Sequence, residues 1–263
     1  KGGIALVVTR MDRILEIYVP NMQFIDHHHL QAHLGMRGVI SDREDKYLFQ
    51  VNGRTMNNRM LMGADNERAI PLLGDIQSVS VVRGPASATH GAGAVAGVIG
   101  LQTYTGLTFQ GFDVRVRQGV VDQYTAGELR FGKKLNETSG LFAYYGIADQ
   151  PGASSEDAPY FIGRSYPARN GLDPNVAGQP VPAPLPSYNQ QAFGDLRHKA
   201  HVSYVNGPFE IWARFVQDGH QDRPMREIYA ATRPEALSLD KWIRGRQFLS
   251  RQSTIAATLK KDL

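Results

Sequence analysis

Asp26-His27-His28-His29, with His33 close behind, is the densest group of metal-capable side chains in the chain. Neutral imidazole ligates transition metals. In an extended segment neighbouring side chains point to opposite sides, so only His27 and His29 can converge. The simpler alternative is a polar loop whose histidines are hydrogen-bonded. A second concentration of chemistry is the run Gly91-Ala92-Gly93-Ala94-Val95-Ala96-Gly97, with Asp113 twenty residues after Gly93. That spacing approaches a dinucleotide-binding fingerprint, but Pro85 precedes it and β-prone, glycine-interrupted sequence comes after it, where a helix is required. Ser87 near His90 lacks the nucleophile-elbow pattern, and no pair of carboxylates stands out for acid–base work. No catalytic set emerges, so the chain is not expected to be an enzyme, and no cofactor is implied.

The elements that must hold these residues are constrained by composition. The chain has 263 residues, 42% hydrophobic and 21% charged, which excludes a disordered tail. Its mean hydropathy is −0.33, and apolar runs are as short as Ile4-Val8. A spanning helix needs about 20 apolar residues, so a helical membrane protein is excluded. A β-barrel is not, because its alternating strands keep average hydropathy low. The absence of Cys excludes a disulfide scaffold and cysteine nucleophiles. A net charge of +4, dispersed along the chain, does not argue for nucleic acid. No signal peptide is visible at Lys1-Gly2-Gly3.

Residues 1–106 read as a compact α+β unit. Strands are predicted at Ile4-Val8, Lys46-Val51 and Ile76-Val82, and short helices at Met11-Ile17 and Asn66-Leu73. Asn52-Gly53 is a hairpin-turn signal. From about residue 111 the texture becomes alternating, in six stretches centred on Phe112-Val116, Leu129-Phe131, Leu141-Ile147, Val202-Tyr204, Phe209-Phe215 and Ile255-Leu259. Short connections (134–139 and 206–208) alternate with long ones (149–198 and 218–248), the first of which holds eight of the fourteen prolines. Compact soluble domains rarely carry such loops, whereas outer-membrane barrels alternate short periplasmic turns with long outer loops. A soluble β-rich binding protein remains the bland alternative on pattern alone.

The block from Ile76 to Ile99 contains a strand, then Arg83-Gly84-Pro85, then a small-residue turn with Gly91 and Gly93, then Gly97-Val98-Ile99. It resembles the end of the plug domain of TonB-dependent outer-membrane receptors. Met36-Arg37-Gly38 resembles the family's apolar-Arg-Gly element. Phe49 to Asn57 resembles its strand, Asp-Gly turn and loop, with Asn52 in place of the Asp; Gly100 stands where the family usually has Asn. The resemblance covers 20–106 by motif and 107–263 by strand pattern.

The resemblance implies a plug domain at 1–106, followed by antiparallel transmembrane β-barrel strands at 107–263. Six strands form part of a barrel of about 22, so the chain is expected to be a fragment or the identified part of a larger assembly. It implies an outer-membrane address in a Gram-negative bacterium, contact with outer-membrane lipid, and energy from the transducer protein TonB. The ligand would be scarce, such as a ferric siderophore or other metal chelate. The family presents three apical plug loops. By position these fall near 26–31, 41–45 and 57–65, making His27, His28, His29, Ser41, Asp42, Arg43, Asn57, Asn58 and Met60 candidate ligand contacts. Arg37 and Arg83 occupy positions whose arginines pair with wall glutamates, here expected on strands beyond residue 263. Gly38, Gly84, Pro85, Gly91, Gly93 and Gly97 form the plug signature. Tyr144, Tyr145, Trp212 and Phe215 fit either interfacial aromatic girdles or the plug–wall contact. The alternative function is a barrel that scaffolds other envelope proteins.

Overall fold

The computed structural model describes residues 11–27, 30–40, 46–58, 63–119, 124–149, 196–221 and 247–259. The predicted strand at Ile4-Val8 and most of the two long connections lie outside the described residues. No described helix is long and apolar enough to cross a membrane.

The first part begins with α1 (Met11–Tyr18), whose Met11 and Leu15 are buried one turn apart. Pro20 ends it, because the residue before a proline is pushed out of the helical region. β1 (Met22–His27), β2 (Leu30–Met36) and β3 (Val39–Ile40) form a three-stranded antiparallel sheet. These strands were not anticipated from the sequence. Arg37 and Gly38 make the β2–β3 turn with φ of 52° and 78°, the pair of positive values that a tight hairpin needs. The Tyr47 hydroxyl clasps this turn, accepting from the Met36 N–H at 2.8 Å and donating to the Val39 carbonyl. Burial pushes this phenol above its ordinary pKa, opposed by the Met36 hydrogen bond.

A second sheet runs β5-β4-β7-β6, with β4 (Tyr47–Val51), β5 (Arg54–Thr55), β6 (Ile76–Arg83) and β7 (Gly97–Thr103). β4 and β7 are parallel; β6 and β7 are antiparallel. The β4–β5 turn uses Asn52 and Gly53 at φ 49° and 77°, as the sequence predicts. Between β5 and β6 lies α2 (Asp65–Ala69), halted where Ile70 turns extended before Pro71. Between β6 and β7 lies a one-turn helix, α3 (Ser87–His90), then Gly91 and Gly93 at φ 92° and 96°. Ser87 Oγ donates to the Ala94 carbonyl at 3.0 Å, so it organises the turn. Gly97 opens strand β7, so a phosphate-cradling helix is missing there and the nucleotide reading fails. One core joins both sheets and α1, through Leu15, Leu34, Met36, Tyr47, Phe49, Ile99 and Leu101.

The second part is a single six-stranded antiparallel sheet in sequence order: β8 (Gly111–Gln118), β9 (Thr125–Lys134), β10 (Ser139–Asp149), β11 (Arg197–Asn206), β12 (Phe209–Gln221) and β13 (Gln247–Leu259). The β9–β10 and β11–β12 turns lie at one end, tied by Gly207 N–H to the Thr138 carbonyl at 2.9 Å. Phe112, Leu129, Leu141, Tyr145, Val202, Ile211 and Ile255 are exposed on the outward face. The inward face of the middle strands, β9 to β12, is buried against the first part, whereas the edge strands β8 and β13 stay partly open.

The outward apolar band is slanted. Phe131 is level with Ile255 through Ala143, Val202 and Ala213. On β9 polar Lys133 follows Phe131, whereas on β13 the band runs four residues further, to Leu259. At the other edge, Val116 on β8 is level with Arg251 on β13, four residues beyond Ile255. A drop of about 13 Å over four or five strand spacings of about 4.8 Å puts the strands roughly 30–35° from the band's normal.

Candidate functional site

The contact between the two parts is a strap, Ile70-Pro71-Leu72-Leu73-Gly74-Asp75, laid along the inner wall and preceded by α2. Proline removes one donor from this strap, and wall side chains read the backbone groups that remain. Arg117 Nη2 and Tyr124 Oη donate to the Pro71 carbonyl at 2.9 and 2.8 Å. Lys199 Nζ donates to the Leu72 carbonyl at 2.8 Å. Gly74 N–H donates to Glu128 Oε1 at 2.9 Å, and Arg130 Nη1 donates to the Gly74 carbonyl at 3.2 Å. A Cβ on Gly74 would meet the Tyr144 ring at 2.8 Å and Glu128 Oε1 at 3.0 Å, so the strap fits only with glycine there. Ile70 and Leu72 pack on Tyr124, Ala126, Ala148 and Val216, a small apolar seal beside the polar contacts.

At the end of the strap four charges meet away from the protein surface. Glu67 on α2 and Asp75 at the entry to β6 face Lys199 on β11 and Arg214 on β12. Glu67, Asp75 and Lys199 are fully buried, and Arg214 nearly so. Arg214 grips Glu67 bidentately, Nε to Oε1 at 2.6 Å and Nη2 to Oε2 at 2.7 Å, while Nη1 reaches Asp75 Oδ2 at 2.5 Å. Lys199 Nζ lies 2.9 Å from Asp75 Oδ1 and 3.9 Å from Glu67 Oε2. Burial alone would raise the Asp75 carboxyl, but Arg214 and Lys199 outweigh it and hold the group well below the usual carboxylate range. The planar guanidinium suits a two-carboxylate site in a way an ammonium cannot.

Further contacts extend the interface. Asn66 Nδ2 donates to Ser250 Oγ at 2.8 Å. Asn52, in the β4–β5 turn, donates to Thr103 Oγ1 at 2.9 Å and accepts from Thr103 N–H at 2.9 Å. Thr103 in turn lies 3.1 Å from His201 Nε2 on the wall. Phe142, His201 and Trp212 form an inward aromatic row below the charges. Tyr144 and Trp212 are buried on the inward face, where the Tyr144 ring lies against Gly74 of the strap and its Oη donates to Glu128 at 2.7 Å; Tyr145 and Phe215 alternate to the outward face.

Of the sequence-predicted residues, Arg37 and Arg83 are exposed in this chain. Gly38, Gly84, Gly91 and Gly93 take positive φ, and Gly97 sits where a Cβ would meet the Val82 carbonyl at 2.9 Å. Pro85 is exposed after the strand end. Asn57 engages its carboxamide with β4, accepting from Phe49 N–H at 2.8 Å and donating to the Tyr47 carbonyl at 2.9 Å. Asn58 bridges to Gly63 and is exposed. His28, His29, Ser41, Asp42, Arg43 and Met60 lie outside the described residues, as do the side chains of His27 and His33. Among the described residues no group of three His, Asp or Glu could hold a metal. Sequence reasoning passed over Glu67, Asp75, Lys199 and Arg214. The signal that could have found them was Lys199 and Arg214 on alternating strands, where one face must bury its charges.

Residues 6–98 match the model of the TonB-dependent Receptor Plug Domain. No curated protein sequence matches the chain. Among solved structures, the FrpB iron transporter of Neisseria meningitidis superposes with a TM-score of 0.57 at 17% identity, covering 96% of this chain and 36% of that one. The ferric enterobactin receptor PfeA of Pseudomonas aeruginosa, as a G324V mutant, gives 0.57 at 14% identity over 98% and 37%. The ferric yersiniabactin uptake receptor FyuA of Yersinia pestis gives 0.54 at 16% identity over 82% and 30%. The chain spans about a third of the length of these receptors. Residues 6–98 are a TonB-dependent receptor plug domain, and the strands after it have the fold of the first part of the receptor barrel.

Proposed function

We propose that the chain is the plug and first barrel strands of a Gram-negative outer-membrane receptor. Its plug would extend over 1–106 and its barrel would begin at 107. The receptor takes up a scarce ligand, a ferric siderophore or another metal chelate, with energy from TonB. The observation that carries this reading is the strap. A plug domain is held against the inner wall by its backbone and by a buried charge cluster, which is the arrangement a gated lumen requires. The names of the structural neighbours, two ferric-siderophore receptors and an iron transporter, support iron as the cargo. The apical loops near 26–31, 41–45 and 57–65 are the ligand contacts, with His27, His29, Asp42 and Arg43 suited to a polar, metal-bearing ligand. Arg37 and Arg83, exposed here, pair with wall glutamates on strands beyond this chain.

Growth on a limiting iron chelate tests the proposal. The full-length receptor is compared in wild-type and TonB-deficient cells, and with His27, His29, Asp42 and Arg43 changed to Ala. Loss of TonB should abolish uptake, and the loop variant should bind less while its barrel still assembles. Uptake that survives loss of TonB refutes the transport mechanism. A receptor that binds no chelate and co-purifies with an envelope assembly makes the scaffold reading the correct one.

A further inference from the structure

The inward face of the wall carries more cations than carboxylates. Arg115 and Arg130 pair with Asp113, Arg117 with Glu128 and Arg197 with Asp218, all within the wall itself. Lys199 and Arg214 differ from these four. Their counter-charges in the structure are Glu67 and Asp75, which belong to the plug. When α2 and the strap leave the wall, both carboxylates leave with them, and two adjacent cations remain on the lumen surface. His201 and Ser203 stand next to them on the same face of β11 as further donors, with His201 Nδ1 and Ser203 Oγ buried and without a hydrogen-bond partner among the described residues.

We propose that Lys199 and Arg214 form a covered anion site on the barrel wall, which opens when the plug shifts and binds a net-negative, oxygen-rich metal chelate on its way through the lumen. The inference rests on the transport reading for its ligand and adds the ligand's charge. Glu67 and Asp75 then have two roles. In the resting receptor they fasten the plug, and they occupy the site with the charge type the cargo later brings. The cargo replaces the plug's carboxylates at the same two cations, so the wall is not left with bare charge in a narrow lumen. A guanidinium that holds two carboxylates in one plane presents the same fork to a chelate's carboxylate or catecholate oxygens.

The test uses the full-length receptor in planar bilayers, with potassium chloride as the only probe. Glu67→Gln/Asp75→Asn releases the plug's charges from the wall. The expected result is a current with chloride favoured over potassium several-fold at 0.1 M salt. The preference should fade near 1 M, where the Debye length shrinks to about 3 Å. Adding Lys199→Gln/Arg214→Gln removes the unpaired charge and lets the plug reseat in part, so the current should shrink and what remains should show no preference. A current without anion preference, or a preference that survives the quadruple variant, overturns the proposal. A second measurement uses Lys199→Cys and applies methanethiosulfonates of opposite charge to energised vesicles. The anionic reagent should react several-fold faster, and Arg214→Gln should remove most of that difference. No current in the double variant, together with an unreactive thiol in Lys199→Cys, also overturns the proposal. The bilayer current involves neither TonB nor chelate, so selectivity with failed TonB-dependent growth would sink the transport reading alone.

Discussion

Removing one carboxylate from the buried cluster should loosen the plug, and removing a matching cation as well should cost less than the two changes added together. In Asp75→Asn, Lys199 and Arg214 are left with Glu67 as their carboxylate, so two buried cations share one anion. Breaking a buried pair by removing one partner costs about 3–5 kcal/mol. At 1.36 kcal/mol per decade, that is roughly a 150- to 5,000-fold rise in the population of the detached plug. Asn keeps a hydrogen-bonding oxygen, which puts the expectation at the lower end. Adding Lys199→Gln leaves Arg214 bidentate on Glu67, a balanced pair. The double variant should cost clearly less than the two single changes added together, with a coupling of about 0.5–3 kcal/mol, the range found for groups in one network. Hydrogen exchange of the β6 and β7 amides in the full-length receptor reads both quantities. Costs that simply add would mean that the four charges do not act as one network, and the reasoning from burial would be wrong.

Four other outcomes are expected. The plug should stay seated as pH falls from 7 to about 4 and loosen below that. Asp75 has a folded pKa held below its unfolded value of about 3.9, so its contribution is present above that value and is lost on acidification towards the folded pKa; exchange rates across a pH series check this, and loosening above pH 5 would contradict it. Gly74→Ala should destabilise plug seating by about 1–3 kcal/mol, because its Cβ would overlap Tyr144 and Glu128, read as a shift in the urea midpoint of plug release. Asn57→Ala should cost the plug about 1–2 kcal/mol, through two lost hydrogen bonds to β4, seen in the same titration without a change in plug release by wall variants. Linear dichroism of the amide bands in oriented membranes should give strand tilts near 30–35°, as the slanted band requires; strands parallel to the membrane normal would refute the assignment of Phe112, Phe131, Ile255 and Leu259 to the lipid face.

The barrel strands were legible because a wall with lipid on one side writes a period of two into the chain. Leu141 and Tyr145 on β10 show it directly. The glycine signature was legible for a different reason: Gly84, Gly91 and Gly93 sit at positive φ, which the sequence marks by residue type alone. β1 and β2 were missed because Met22 to Met36 contains His27, His28, His29 and Gln31 among its apolar residues, and the period is blurred. The charge cluster was missed for a topological reason. Glu67 and Lys199 are 132 positions apart in sequence, and no local pattern says which plug carboxylate meets which wall cation. The resemblance directed attention to plug arginines and wall glutamates, whereas the contact made within this chain runs the other way, with plug carboxylates against wall cations.

The composition of the plug–wall contact bears on whether such a plug can leave. An apolar seal of ordinary size would resist opening, at about 25 cal/mol for every Å² returned to water. Here the shared apolar cluster is confined to Ile70, Leu72 and four wall residues. Beside the aromatic contact of Tyr104 with Phe142 and Arg130, the described remainder is hydrogen bonds and ion pairs, to Pro71, Leu72 and Gly74 of the strap and to Glu67 and Asp75. A polar contact separated in a water-filled lumen regains most of its energy from water, so its net worth is about 0.5–1.5 kcal/mol per neutral bond and more where charge is involved. The balance changes at the four-charge cluster, where losing one partner while the others stay dry is costly. The strap is therefore expected to come away as a whole, with water entering behind it, and not residue by residue. Gly74 permits this unit to lie flat on the wall, and Pro71 stiffens it, so a pull on β6 reaches Asp75 before the apolar seal at Ile70 and Leu72, and Glu67 on α2 after it. In the proposed transporter, a wall contact built this way would hold firmly at rest and yield to a directed force.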